Sequence, residues 1–346
     1  MENARPQVKY YSRKARPLIT MAVLLVGSHA MAAGPAAPST VLFMGSSVTW
    51  GYTEVESFGV GTVTDLNGCT QTEGGCKAIG GVPAMFKALA KEAGLNYDVS
   101  MEMIPGSSLT QHYDTKRDVI DRPWDKVVMN GQTTLDFDAP GNPMRITSDL
   151  GLLGAMWQAK NPDVKIAFLS TWSRADLVYN TPSSLWYGTP IGQMAKHVQA
   201  GYQFAIAANP KVDAEIVPVG LAWNRAIQYR IADPDPYDGI TPGQVDLWRS
   251  GLPPESSNNY HASRFGSYLE ALMIFGSITG LDPRQLGPDE QVAQALNISP
   301  REAGDLQAVA SDQLRASRKA DQAMDEAGEA SGGLDLKSDH HTAFAH

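Results

Sequence analysis

VLFMGSSVTWG, residues 41–51, decides how this chain is read. Four apolar residues run into Gly45 and the paired serines Ser46 and Ser47, the pattern of a buried strand that ends in a tight turn. Comparable runs recur at 39–45 (STVLFMG), 97–104 (YDVSMEMI), 125–130 (DKVVMN), 164–170 (VKIAFLS) and 214–220 (AEIVPVG). Segments of helical period lie between them at 80–94, 148–160 and 190–208, and Ser263 is placed to cap a further helix through SYLEALMIFGSI. Strands alternating with helices predict an α/β fold with a parallel sheet covered on both faces. The 310 or so residues left after the leader described next suffice for one large domain.

The first 32 residues read as a secretory signal peptide. Lys9, Arg13, Lys14 and Arg16 precede the apolar run LITMAVLLV, and Ala30-Met31-Ala32 follows as an A-x-A site. The run falls short of the roughly 20 residues that a membrane span requires; an uncleaved N-terminal anchor is the alternative. Cleavage removes five basic side chains and one acid, taking the net charge from −9 to −13. Such a chain is a poor partner for nucleic acid, which binds through lysine and arginine. A secreted or periplasmic protein with no lasting membrane insertion is expected. In that setting Cys69 and Cys76 are expected to form a disulfide that staples a Gly/Thr-rich insertion over 52–79.

Ligands of parallel sheets gather at the carboxyl ends of strands. Those ends here carry Gly45-Ser46-Ser47, Pro105-Gly106-Ser107, Asn130-Gly131-Gln132 and Ser170-Thr171-Trp172. Each alone also suits an ordinary turn. Of seven histidines, His29 leaves with the leader and His340, His341 and His346 fall in a polar tail. His197 lies mid-helix, as a packing or surface residue. His112 can line a site without being its base. His261, in SSNNYHASRFGSYLEAL, closes a polar loop before a helix and is the candidate base.

These blocks resemble the SGNH/GDSL hydrolase family. Gly45-Ser46-Ser47-Val48-Thr49-Trp50-Gly51 is similar to its serine block except at Ser46, and Gly106 falls where the second block has its glycine. Asn130-Gly131-Gln132 stands for G-x-N, and Asn258 through Gly266 stands for D-x-x-H-P-S-x-x-G. The resemblance covers roughly 39–282 and implies a flavodoxin-like three-layer α/β/α sandwich. It implies a secreted serine esterase without metal or organic cofactor, acting on a small or polymeric ester of carbohydrate, lipid or polyester. Ser47 is then the nucleophile and His261 the base. The N–H groups of Ser47 and Gly106 and the Gln132 amide hold the oxyanion. Asn258 stands where the family has an acid; a nearby carboxylate (Glu255, Asp246 or Asp238) or a backbone carbonyl is the alternative orienter. Trp172, Trp186 and Tyr187 are expected either as a substrate-contact surface or as anchors of their own loop. A binding protein that has lost turnover, or an acyltransferase, is the competing reading. The expected organisation is a hydrolase domain over 33–283, a helical appendage over 284–322 with caps at Pro288 and Ser299, and a disordered tail over 323–346.

Overall fold

A computed structural model describes residues 37–72, 74–249 and 260–332. The described residues from Pro38 to Gly332 form one compact unit. Its strands are β1 (Ser39–Gly45), β2 (Thr64–Asp65), β3 (Thr70–Thr72), β4 (Gly75–Lys77), β5 (Tyr97–Met103), β6 (Lys126–Met129), β7 (Lys165–Leu169) and β8 (Ala214–Val217). Six of them make a parallel sheet in the order β2-β5-β1-β6-β7-β8, while β3 and β4 form a separate antiparallel hairpin. Discounting the two-residue edge strand β2, this is the doubly wound 2-1-3-4-5 order, whose direction reverses at β1 and opens a crevice between β1 and β6.

The helices are α1 (Ser47–Trp50), α2 (Tyr52–Val55), α3 (Gly81–Glu92), α4 (Leu109–Ile120), α5 (Met144–Gln158), α6 (Gly192–Ala207), α7 (Val219–Gln228), α8 (Arg264–Thr279), α9 (Gln291–Ala295) and α10 (Pro300–Gly332). The strands alternate sides as their period of two requires. Val41 and Phe43 enter one core with α3, α7, α8 and α10, whereas Leu42 and Met44 enter a second with α4, α5 and α6. Burial on both faces explains why β1 reads as an unbroken apolar run. The result is the three-layer α/β/α sandwich that the sequence implies.

The C-terminal helices correct the expected organisation. They are no appendage: Val292, Ala293, Leu306, Val309 and Ala310 are buried in the first core, against α3, α7 and α8. Glu290, not Pro288, caps α9, its carboxylate accepting from the N–H groups of Val292 and Ala293. Ser299 and Glu302 cap α10 reciprocally as a capping box. α10 runs to Gly332, through the first ten residues of the expected tail; residues 333–346 lie outside the described residues. Cys69 and Cys76 form the expected disulfide across the β3–β4 hairpin. The signal segment lies outside the described residues, among which no helix is long and apolar enough to cross a membrane.

Candidate active site

β1 ends at Gly45, and the chain turns at once into the single-turn helix α1, with Ser46 in extended conformation as its N-cap. Only glycine fits at position 45, because a Cβ there would run into Asn130 Oδ1 and Thr49 Oγ1, which hydrogen-bond to each other. That contact ties the turn after β1 to the end of β6 across the crevice. Asn130 is spent in it, its Nδ2 donating to Gly131 O at 2.6 Å. Ser47, the first residue of α1, is 7% exposed. Its N–H makes no hydrogen bond to any described residue.

His261 arrives from the far end of the chain. Residues 246–249 run antiparallel to 261–263: Arg249 N–H donates to His261 O at 2.8 Å, and Ser263 N–H donates to Leu247 O at 2.9 Å. Ser263 Oγ donates to Asp246 O at 2.6 Å and accepts from the N–H groups of Phe265 and Gly266, capping α8 as its position predicts. This pairing delivers His261 Nε2 to 2.9 Å from Ser47 Oγ, across 214 residues of sequence. The imidazole is 2% exposed and sandwiched. The Tyr52 ring stacks on it at 3.7 Å and the Tyr260 ring at 4.1 Å. Tyr52 takes a φ of 49°, a strained conformation for a non-glycine residue, so the fold holds this ring at a cost.

Tyr260 is the residue that the blocks pass over. Burial lifts its phenol above the ordinary value, against the pull of the Arg174 charge and of Ser47 close by. The Arg174 guanidinium lies 3.9 Å above the Tyr260 ring and is held from behind by both oxygens of Asp176. Its place directly before His261 is the signal that the sequence carries, and aromatic residues beside a histidine are common.

The other expected residues fall as follows. Gly106 sits in a tight turn after β5 with φ of 63°, a value that favours glycine, and its N–H also makes no hydrogen bond to any described residue. Gln132 lies after β6 and its Oε1 accepts from Phe137 N–H at 2.9 Å, which turns its NH₂ into the end left for a ligand. Asn258 and Glu255 lie outside the described residues. Asp238 is exposed, whereas Asp246 is buried on the segment paired with His261. Trp172, Trp186 and Tyr187 do not make one aromatic surface. Trp172 is 2% exposed, stacks on Trp223 and donates from Nε1 to Tyr260 O at 2.8 Å, so it anchors the histidine segment from below. Trp186 is packed on His197, its Nε1 donating to Nδ1 at 3.2 Å. Tyr187 is exposed.

A cavity of about 540 Å³ lies on the far side of Arg174 from Tyr260, between Arg174 and the loop after β6, and neither Ser47 nor His261 lines it. Phe137, Leu185 and Trp186 give it apolar walls, and Thr134 and Ser184 add hydroxyls. Among the described residues no group of three or more His, Cys, Asp or Glu side chains is arranged to hold a metal ion.

No family model matches the sequence, and no curated protein does. Among solved structures, the chain is similar to one described as a GDSL-like lipase from Parabacteroides merdae, at 17% identity and a TM-score of 0.45, covering 70% of this chain and 95% of that one. It is similar to a variant of an acetyl xylan esterase from Geobacillus stearothermophilus, at 15% identity and a TM-score of 0.42, covering 70% and 95%. A third is a carbohydrate esterase family 2 enzyme with its carbohydrate-binding domain from Corynascus thermopiles, at 16% and 0.40, covering 72% and 68%.

Proposed function

We propose that the chain is a secreted serine ester hydrolase of SGNH type, working through an acyl-enzyme. The observation that carries this is the 2.9 Å approach of Ser47 Oγ to His261 Nε2 at the crevice of a doubly wound sheet. Ser47 donates its proton to Nε2 as its oxygen attacks the ester carbonyl, and His261 returns that proton to the leaving alcohol. Water then enters by the same route and frees the acid.

The negative oxygen of the tetrahedral intermediate falls to three donors: the N–H groups of Ser47 and Gly106, and the Gln132 NH₂. His261 Nδ1 needs an acceptor to fix its tautomer. Asn258 is one candidate by its place in the block, and Asp246 is the other, by its burial on the segment paired with His261. The cavity favours an uncharged substrate, since Asp176 already neutralises Arg174. An acyl or acylated sugar group fits its mix of apolar walls and hydroxyls. The leader and the disulfide support an exported protein.

The test is release of p-nitrophenol from short p-nitrophenyl esters by protein beginning at residue 33, with Ser47→Ala beside it. Turnover that survives Ser47→Ala refutes the assignment.

A further inference from the structure

A second serine–histidine–carboxylate chain is buried behind the turn that carries Gly106. Glu102, next to last in β5, and His112, in α4, are both fully buried, and Ser107 is 6% exposed. Glu102 Oε2 meets His112 Nδ1, and His112 Nε2 lies 2.7 Å from Ser107 Oγ. Ser107 Oγ is also 2.9 Å from Ile104 O, the carbonyl that accepts Ser107 N–H at 3.3 Å to close the Ile104-Pro105-Gly106-Ser107 turn. On its other side, Glu102 Oε1 accepts from Asn67 Nδ2 at 3.0 Å, and Asn67 Nδ2 also donates to Met103 O at 3.1 Å. Asn67 belongs to the disulfide-stapled insertion: its N–H donates to Asp65 Oδ1, and Asp65 Oδ2 accepts from Thr70, next to Cys69.

Counting protons assigns the direction of this chain. A hydroxyl has one hydrogen. The contact of Ser107 Oγ with a carbonyl oxygen requires that hydrogen to point at Ile104 O. His112 must then donate from Nε2 to Ser107, so it cannot take the Ser107 proton. The group is therefore a brace and not a second nucleophile.

We propose that Glu102, His112 and Asn67 are positioning residues for the oxyanion-binding turn. They fix the Ser107 hydroxyl on the carbonyl that closes the turn, and so hold the Gly106 N–H in register with Ser47. The turn is joined to the nucleophile's strand by Ile104 N–H, which donates to Gly45 O at 2.9 Å, two residues before Ser47. The inference rests on the esterase reading of the Ser47 site. Buried polar chains of this kind specify one geometry when every member is satisfied, and small displacements of a catalytic donor cost large factors in rate.

The experiment compares mature His112→Asn, His112→Gln, Ser107→Ala and Ser47→Ala on p-nitrophenyl acetate. Rates are expressed per site titrated to completion by a p-nitrophenyl organophosphate, with Tm measured alongside. In His112→Gln the amide nitrogen stands near the place of Nε2 and still donates to Ser107; in His112→Asn it stands near Nδ1 and does not. His112→Asn and Ser107→Ala should lower kcat about tenfold or more with KM changed less than about twofold, and His112→Gln should retain more kcat than His112→Asn. Wild-type kcat per site in both His112→Asn and Ser107→Ala, with loss confined to Tm, overturns the inference, as does an Asn variant better than the Gln variant. Should the histidine variants not fold, Ser107→Ala, which removes one hydroxyl, decides alone. Activity persisting in Ser47→Ala would instead overturn the esterase reading itself.

Discussion

Glu270 lies in the middle of α8, fully buried, and among the described residues neither of its carboxylate oxygens has a hydrogen-bond partner. Burial drives its pKa well above the usual carboxylate range. Leaving a buried polar group unsatisfied costs about 1–3 kcal/mol, so Glu270→Leu should stabilise the protein by that amount. For a folded unit of about 300 residues that is a rise of roughly 1.5–5 °C in Tm. Glu270→Gln separates the ionisation from the lost hydrogen bonds. Below the unfolded-state value near 4.3 both folded and unfolded Glu270 hold their proton, and wild type and Glu270→Gln should melt with a constant difference. Above it the unfolded chain releases the proton while the folded chain keeps it, so wild type loses about 1.4 kcal/mol per pH unit until the folded-state pKa is reached. The Tm advantage of Glu270→Gln should therefore widen steadily as pH rises from 4.5. Calorimetry of the three proteins from pH 4 to 8 reads this directly. Parallel curves for wild type and Glu270→Gln across that range would refute the reasoning.

At the site, Ser47→Ala should reduce ester hydrolysis about 10⁴-fold or more while leaving Tm within a degree or so; a loss of folding with the loss of rate would make Ser47 structural. The orienter of His261 is separated by kcat/KM of Asp246→Asn, Asn258→Ala and Glu255→Gln on one ester. Asp246→Asn should cost about 10²–10⁴-fold if a carboxylate does the work, and Asn258→Ala being the most damaging of the three would return the role to Asn258. Trp172→Phe, which deletes the donor to Tyr260 O, should lower stability by about 1 kcal/mol and slow turnover through the histidine segment, so an unchanged rate would disconnect Trp172 from the site. Protein denatured without reductant should show no free thiol by alkylation and mass measurement, in line with the Cys69–Cys76 bond; two alkylated cysteines would contradict it.

The sheet was legible because β1, β5, β6, β7 and β8 are buried on both faces and so print as apolar runs. β2 was invisible: two residues, Thr64 and Asp65, joining β5 at the edge carry no periodic signal. α4 was missed for a related reason, since LTQHYDTKRDVI buries only Leu109, His112 and Ile120 and is otherwise polar. Ser47 and His261 could be paired from the chain because so few histidines remained once the leader, tail and helix interior were removed. The surroundings could not. Tyr52 and Tyr260 act through ring stacking, and Trp172 through an indole N–H on a backbone carbonyl, contacts that depend on packing and leave no spacing to read. The C-terminal helices were mistaken for an appendage because an amphipathic stripe shows that a helix buries a face, without showing which core receives it.

Ser47 stands near the start of the folded unit and His261 lies 214 residues further on, just before α8, which is itself covered by α10. A chain made from its amino end thus presents its nucleophile early and its base late. Contacts so far apart in sequence form late, because the loop between them must close before they contribute. Hydrolysis must therefore await synthesis of His261 and of α8, together with the α10 that covers it. Partly synthesised chains should be inert toward the esters of the cell that makes them.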